Sequence, residues 1–429
     1  MRVLIRDLAK ILREKPEEPV ELEGWVHRIR ELGGLSFIIL RDRSGMVQAV
    51  ATEKLDLTLE SVISISGIPV RTEKAPGGIE IQVRTLTCIS RAAQDMPYRV
   101  NAAFGRMGLE TVLDNRILSL RNPALQAVFK VQATIIEAFS AYLRSQDFTE
   151  IRTSKLVANG TEGGTALFAV EYFNKKLYLA QSPQFYKQVM VASGMERVFE
   201  VAQVYRAEKH DTPRHLNEYV SLDVEMAFIE SELELIALEK ALLIHIFSEL
   251  ARKNSPELAL HQAAVPDAAA VERSPTLSYE EALRIAIKES GNARLFDINP
   301  EVERLLCVWS MREYQSPLVF INAFPRRHRP FYTYPLGDTL TMSFDTLFRG
   351  LEITSGSRRQ HDYQAFVEAL PRFGLKAQDM PGYLTLLQYG CPPHGGFALG
   401  CERLTQKILG LTSVKEASLF PRDRKRISP

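Results

Sequence analysis

Over residues 1–100 apolar and polar positions trade places in short blocks. Val20-Glu21-Leu22-Glu23-Gly24-Trp25-Val26 partly alternates, and residues 35–40 then run apolar. A period of two belongs to a strand with one buried face. The turn Asp42-Arg43-Ser44-Gly45 leads to a strand at 46–50, with the spacing of a hairpin. Further strands are predicted over 61–70 and 79–86, separated by the turn formers Pro76-Gly77-Gly78. Five short strands suggest a small β-barrel or sandwich, and an OB-fold is one such solution. Residues 101–122 read as a connector. After Pro123 the period lengthens to that of a helix, over 125–143. Strands over 198–205, 219–228, 317–324 and 340–354 then mix irregularly with helices over 233–251, 279–288 and 402–409. Runs of adjacent strands predict an α+β domain over 123–429, built on an antiparallel sheet. Residues 264–276, rich in Ala and Pro, read as a surface insertion.

Composition narrows this picture. The 429 residues are 45% apolar, which excludes a disordered chain, and their length suits two or three domains. Lys+Arg number 53 against 52 Asp+Glu, so a bulk polycation is excluded too. The first 100 residues hold 15 basic against 14 acidic groups. Nucleic-acid recognition, if present, would rest on placed groups and local clusters such as Arg422, Arg424, Lys425 and Arg426. No apolar run reaches membrane-helix length, and Met1-Arg2-Val3-Leu4 opens no secretory signal. The scattered cysteines (Cys88, Cys307, Cys391, Cys401) fit a reducing compartment. The expectation is a cytoplasmic protein without a membrane partner.

Four segments carry candidate chemistry. In Gly395-Gly396-Phe397-Ala398-Leu399-Gly400-Cys401-Glu402-Arg403, Phe397 spoils a dinucleotide fingerprint, and Cys-Glu after Gly400 spoils a P-loop. A glycine-lined strand running into a helix remains. It admits a ligand to the backbone and offers Arg403 as a phosphate clamp, or else it is a tight packing contact. Val204-Tyr205-Arg206-Ala207-Glu208 and Arg214-His215-Leu216-Asn217-Glu218-Tyr219 read as a hairpin with Arg206 and Glu208 on one face. Asp223 and Glu225 follow, alternating with Leu222, Val224 and Met226. An acidic face inside a sheet needs a metal or a cationic ligand. Glu352 and Ser355 are hard oxygen donors suited to Mg²⁺, although Ser355 or Ser357 could equally cap a helix. Pro183 can start a helix that puts Gln184 and Lys187 one turn apart, in a site or on a solvated surface. Cys391, His394 and Cys401 lack the fourth ligand of a structural zinc site.

Together, in this order, the segments resemble the class II aminoacyl-tRNA synthetases of the aspartyl/asparaginyl branch, over residues 23–429. Residues 198–228 look like the family's second motif and 395–411 like its third. Phe148-Thr149-Glu150-Ile151-Arg152-Thr153-Ser154-Lys155 looks like the first, with Ser154 where the family has proline. The class I signatures are absent, and so is the large insertion of bacterial-type aspartyl enzymes, so the chain is similar to the archaeal type. The resemblance implies an anticodon-binding OB domain (1–100), a hinge (101–122), a catalytic domain (123–429) and a homodimer built on the first motif. It implies ATP and Mg²⁺. Arg206 would bind the α-phosphate and Arg403 the γ-phosphate. Glu208, His215, Leu216 and Gly400 would support the nucleotide, with Tyr219 stacking on adenine. Glu352 and Ser355 would hold the metal. Glu162 would lie on a loop closing over L-aspartate, Gln184 and Asp223 near its ammonium group, and Lys187, Ser355 and Arg359 around the rest.

Lys187 points to aspartate: two cations, Lys187 and Arg359, suit a carboxylate, and asparaginyl relatives usually carry an acid in place of Lys187. An asparaginyl-tRNA synthetase is the alternative, or a synthetase-derived asparagine synthetase, which usually lacks the N-terminal barrel. In the barrel, Phe37 and Gln48, with Arg28 close by, resemble the residues that read the middle anticodon base. Phe37 could instead be barrel core. His27 and Pro76 resemble the relaxed group that charges both tRNA(Asp) and tRNA(Asn), whose mischarged product needs an amidotransferase.

Overall fold

The computed structural model describes residues 2–94, 96–158, 160, 167–209 and 211–428. The chain divides into two compact units, Met1–Asn122 and Pro123–Pro429.

In the first unit, β1 (Val20–Leu32), β2 (Leu35–Asp42), β3 (Gly45–Ala51), β4 (Val62–Arg71) and β5 (Ile79–Ser90) close into a barrel in the order β1-β2-β3-β5-β4. β1 runs well past Val26. A bulge between Val26 and Arg28 re-phases it, and it turns at Gly33-Gly34, both with positive φ, into β2. Leu22, Val26, Ile38, Leu40, Ala49, Ile63, Ile65 and Ile81 fill the interior. An N-terminal helix not expected from the pattern, α1 (Leu8–Glu14), seats Leu8 in that core. Residues 101–122 fall within this unit and form α2 (Leu109–Asp114) and α3 (Arg116–Ser119).

The second unit begins with α4 (Pro123–Ser145) and β6 (Thr149–Glu150). β7 (Leu156–Val157), β8 (Ala169–Tyr172) and β9 (Lys175–Leu179) form a small separate sheet before α5 (Gln184–Met190). Next come β10 (Arg197–Tyr205), β11 (Glu218–Ala227), α6 (Glu232–Lys253), α7 (Ser255–Leu260), α8 (Ala268–Glu272), β12 (Thr276–Ser278), α9 (Tyr279–Ser290), α10 (Pro300–Tyr314) and β13 (Leu318–Asn322). The chain closes with β14 (Pro335–Leu336), β15 (Leu340–Thr341), β16 (Ser343–Phe348), β17 (Leu351–Arg359), α11 (Tyr363–Ala369), α12 (Pro381–Gln388), β18 (His394–Gly400) and α13 (Cys401–Leu409). Eight strands make the main sheet, in the order β12-β13-β16-β17-β18-β11-β10-β6. It is antiparallel except for a parallel pair at each edge.

Two expectations are corrected. The single strand expected over 340–354 is broken into a hairpin: Arg349-Gly350, with φ of 47° and 78°, turn the chain between β16 and β17. The stretch 264–276 is no loose insertion, because α8 buries Val271 in the main core. That core lies on one face of the sheet. Leu222 and Val224 of β11 and Phe397 and Leu399 of β18 pack there with apolar residues of α4, α6 and α13. Their strand neighbours project to the opposite face. Among the described residues no helix is long and apolar enough to cross a membrane.

Candidate active site

The opposite face of the sheet floors a cavity of about 420 Å³. Its lining includes Gln184 and Lys187 of α5, Asp223 of β11, Ser355 and Arg359 of β17, and Gly400 and Arg403 at the β18–α13 junction. Arg206, Glu208, His215, Leu216 and Tyr219 join them from the β10–β11 hairpin, and Glu352 from the start of β17. Glu162 lies outside the described residues. Arg206 and Glu208 do not share a strand face, since β10 ends at Tyr205; a tight turn, Glu208 N–H to Arg206 O at 2.7 Å, brings both in. Ser355 and Ser357 sit inside β17, which overturns the helix-cap reading.

The acidic face of β11 finds its cations within this chain. Lys187 Nζ lies 2.9 Å from Asp223 Oδ1 and 3.3 Å from Glu225 Oε2. Arg359 grips Glu225 with two guanidinium nitrogens, at 2.9 and 3.2 Å. Lys187 is 2% exposed, so it is no solvated surface lysine. Burial pushes the Glu225 carboxyl up, but Arg359 and Lys187 outweigh it and hold the group below the usual carboxylate range. Gly396 makes room: a Cβ there would stand 2.3 Å from Glu225 Oε2 and 2.0 Å from Val224 O. The floor is therefore a desolvated set of two cations and two anions, open to the cavity at Lys187, Asp223 and Arg359.

The other end of the cavity is rich in arginine. The Arg206 guanidinium lies 5.7 Å from the Tyr219 ring centroid, so one face of that ring meets a cation. Arg403 Nη1 donates to Glu352 O at 3.0 Å and Oε1 at 3.1 Å. Arg214 Nη2 lies 2.6 Å from both oxygens of buried Glu303, on α10, and Glu303 Oε2 also accepts the Glu352 N–H at 2.9 Å. A strict two-residue period would put Glu352 and Ser355 on opposite faces. A bulge leaves Ile353 without a cross-strand partner and turns both toward the cavity. Asp345, paired with Ser355 across the strands, adds a second carboxylate; burial pushes it up against the pull of Arg329, whose Nη2 is 2.8 Å away. Arg329 Nη1 also donates to Ser355 Oγ at 3.0 Å. Hard oxygen donors beside a cluster of arginines fit a small divalent cation shared with phosphate oxygens. At the root of the hairpin, both Glu402 oxygens accept the Val220 N–H, at 3.0 and 3.1 Å, and burial pushes this carboxyl up to about 8.

Sequence reasoning missed Glu225 as the partner of Arg359, and it missed Glu303, Arg329 and Asp345 altogether. Only Asp345 left a signal, an acid between Phe344 and Thr346 in an apolar strand. Ser154, where a proline was expected, closes a local turn with its Oγ donating to Leu156 O at 2.9 Å.

The barrel presents a second candidate surface. Ser36, Ile38 and Leu40 point inward, so Phe37 and Ile39 point out, and Phe37 is not barrel core. Phe37 pairs across the strands with Arg30 and Val50, and Ile39 with Arg28 and Gln48. Gln48 Nε2 donates to Glu80 Oε2 at 2.7 Å, which fixes the amide and adds Glu80 to this face. His27 sits at the β1 bulge, its Nδ1 2.8 Å from Arg41 Nη1. Burial and that cation hold its imidazole below the usual range. Pro76 opens the exposed turn Pro76–Gly78.

Residues 108–424 match the family described as tRNA synthetases class II (D, K and N), and residues 20–89 match the OB-fold nucleic acid binding domain. The chain is 47% identical to the aspartate–tRNA(Asp/Asn) ligase of Thermus thermophilus, with 100% of both chains covered. It is 38% identical to the aspartate–tRNA(Asp) ligase of Thermococcus kodakarensis, over 98% of each. Its fold superposes on the asparaginyl-tRNA synthetase from Pyrococcus horikoshii complexed with asparaginyl-adenylate, with a TM-score of 0.90 and 29% identity over 100% of both chains. The aspartyl-tRNA synthetase from Entamoeba histolytica gives 0.87, at 29% identity over 100% of this chain and 93% of that one. A closed barrel, an antiparallel sheet floored with buried charge and a full-length match place this chain in the class II tRNA synthetase family, among its aspartate, lysine and asparagine ligases.

Proposed function

We propose that the chain is an aspartate–tRNA ligase that charges both tRNA(Asp) and tRNA(Asn). The observation that carries the choice of amino acid is the balanced floor of Lys187, Asp223, Glu225 and Arg359. An incoming ammonium group meets Asp223 and the acceptor oxygen of Gln184. The side-chain carboxylate then takes Lys187 and Arg359, and Arg206 takes the α-carboxylate. Every charge finds an opposite. Asparagine leaves one buried cation in excess, and a charged hydrogen bond is worth about 1.5–3 kcal/mol, so the preference spans about one to two decades.

The chemistry follows from position. An oxygen of the aspartate α-carboxylate attacks the α-phosphorus of ATP, and the bond to the β-phosphate oxygen breaks to release pyrophosphate. Arg206 neutralises charge at the α-phosphate and Arg403 at the γ-phosphate, so catalysis is orientation and electrostatics. Glu208, His215, Leu216 and Gly400 hold the nucleotide, and Tyr219 offers a ring face to adenine. Glu352 and Ser355 would hold Mg²⁺, with Asp345 beside them, and the ion would offset phosphate charge. The terminal ribose hydroxyl of the tRNA then attacks the acyl carbon and releases AMP.

Phe37, Gln48 and Arg28 on the barrel's outer face read the anticodon, residues 101–122 act as the hinge, and the first-motif segment pairs two chains into a homodimer. His27 and Pro76 support relaxed tRNA choice. So do relatives from Thermus thermophilus, Deinococcus radiodurans and Methanopyrus kandleri, each described as an aspartate–tRNA(Asp/Asn) ligase. An amidotransferase then converts aspartyl-tRNA(Asn), and the protein works in the cytoplasm. ATP–pyrophosphate exchange tests the amino acid: faster exchange with asparagine than with aspartate would overturn the reading. Charging of tRNAs with anticodons GUC and GUU tests relaxed choice, and strong preference for GUC refutes it.

A further inference from the structure

Behind the cavity floor runs a buried chain of neutral polar groups that ends at Gln184. His394 begins β18, fully buried, opposite Arg359 in the cross-strand register. Its Nδ1 lies 2.8 Å from the Pro392 carbonyl oxygen and its Nε2 2.8 Å from Gln188 Nε2. Gln188 Oε1 in turn lies 3.0 Å from Gln184 Nε2 and 3.2 Å from the Tyr383 hydroxyl. Gln188 and Gln184 are 1% and 4% exposed, so water does not supply alternative partners for most of these atoms.

Cys391 Sγ also lies 3.6 Å from His394 Nδ1, but the Pro392 carbonyl at 2.8 Å is the closer partner and settles the protons along this chain. A carbonyl oxygen only accepts, so Nδ1 carries the imidazole proton and Nε2 of the neutral ring must accept. Gln188 therefore turns its NH₂ toward His394 and its oxygen toward α5 and Tyr383. That oxygen takes a proton from the NH₂ of Gln184. Gln184 is then left with its carbonyl oxygen for the cavity it lines. Each amide could rotate by 180° without changing its shape; the carbonyl of Pro392, three groups away, decides which end the cavity sees.

We propose that His394 and Gln188 are positioning residues that set the polarity of Gln184, so that it presents an acceptor, and not a donor, to the ammonium group of the amino acid. This rests on the proposed reading of the site as an aspartate site. The network belongs to ground-state recognition of one functional group, so its loss shows in the binding of that group alone.

The experiment compares aspartate with malate, which has a hydroxyl in place of the ammonium group and can meet either end of an amide. KM for aspartate, KM for ATP and the inhibition constant of malate are measured by ATP–pyrophosphate exchange on wild type, His394→Leu, His394→Gln and Gln188→Met. Leucine removes the acceptor at Nε2, whereas glutamine can restore an acceptor there. Methionine matches the shape of Gln188 but has no amide. The expected result is that His394→Leu and Gln188→Met each raise the aspartate KM about tenfold, about 1.4 kcal/mol, leaving malate inhibition and the ATP KM within twofold. His394→Gln should recover most of the loss. If aspartate and malate weaken together, or neither weakens, the polarity argument is overturned; if His394→Leu does not fold, the Gln188→Met ratio decides alone. Wild type that fails to exchange with aspartate at all would overturn the function, a result distinct from an unchanged ratio in active variants.

Discussion

Lys187→Met tests whether the cavity floor is one closed set of charges. Lys187 and Arg359 face Asp223 and Glu225, and none of the four side chains is more than 5% exposed. Methionine keeps the length and removes one cation, leaving two buried carboxylates with one guanidinium. Breaking a buried pair from one side costs about 3–5 kcal/mol. Unfolding entropy of about 2.1 cal/mol/K per residue, over a unit of about 300 residues, makes 1 kcal/mol worth about 1.6 °C. Calorimetry of the full chain at pH 7 should therefore show the larger unit melting about 5–8 °C lower. Lost packing alone could lower the melting temperature, so the decisive comparison is a double variant. Asp223→Asn removes the surplus negative charge and keeps a partner for the Ser221 hydroxyl, which bonds Asp223 in the native chain. Lys187→Met with Asp223→Asn should be more stable than the sum of the single losses by at least about 1.5 kcal/mol. Additivity within about 0.5 kcal/mol would show that the two side chains are not coupled, and the charge argument for aspartate would lose its footing.

Three further outcomes follow from particular contacts. Glu303→Gln weakens the clamp on Arg214 and the hold on the Glu352 amide, so KM for ATP and half-saturating Mg²⁺ should rise about tenfold with aspartate KM unchanged, and equal rises in both KM values would refute it. Burial pushes the His394 imidazole down to about 4, while an unfolded histidine titrates near 6.5. Since the folded value is the lower, the unfolded chain binds the extra proton between them; the contribution is whole above pH 6.5 and lost as pH falls toward 4, about 3 kcal/mol in all. Urea melts of wild type and His394→Gln should converge or cross over that window, and profiles that stay parallel refute it. Phe37→Ala should raise KM for tRNA by about five- to 140-fold, from a lost stack of about 1–3 kcal/mol, without touching ATP–pyrophosphate exchange; a loss of exchange would mean the residue is structural.

Much of the fold was legible because it rests on periodicity. Partial alternation at 20–26 and the helical stripe after Pro123 mark one buried face each, and burial is what each element needs locally. Where a local exception intervenes, the pattern misleads. Arg349-Gly350 are two residues in a stretch, 340–354, that reads as one strand, and their left-handed backbone splits it into two. The bulges at Val26 and Ile353 shift which side chains face inward, and hydrophobicity alone carries no mark of them.

The sequence by itself determined the α+β class and supplied the residue types that the cavity gathers, since these depend on composition, spacing and short motifs. Tertiary structure alone decided the partnerships. Glu225 meets Arg359 across a gap of 134 residues because β11 and β17 both pair antiparallel with β18, and Gln188 of α5 meets His394 of β18 across 206. A charge in sequence is only a charge; whether it is solvated, neutralised by its own chain or held open for a ligand depends on which neighbours exclude water. Lys187 shows this most plainly, as a lysine one turn into a short helix that proves 2% exposed and doubly paired.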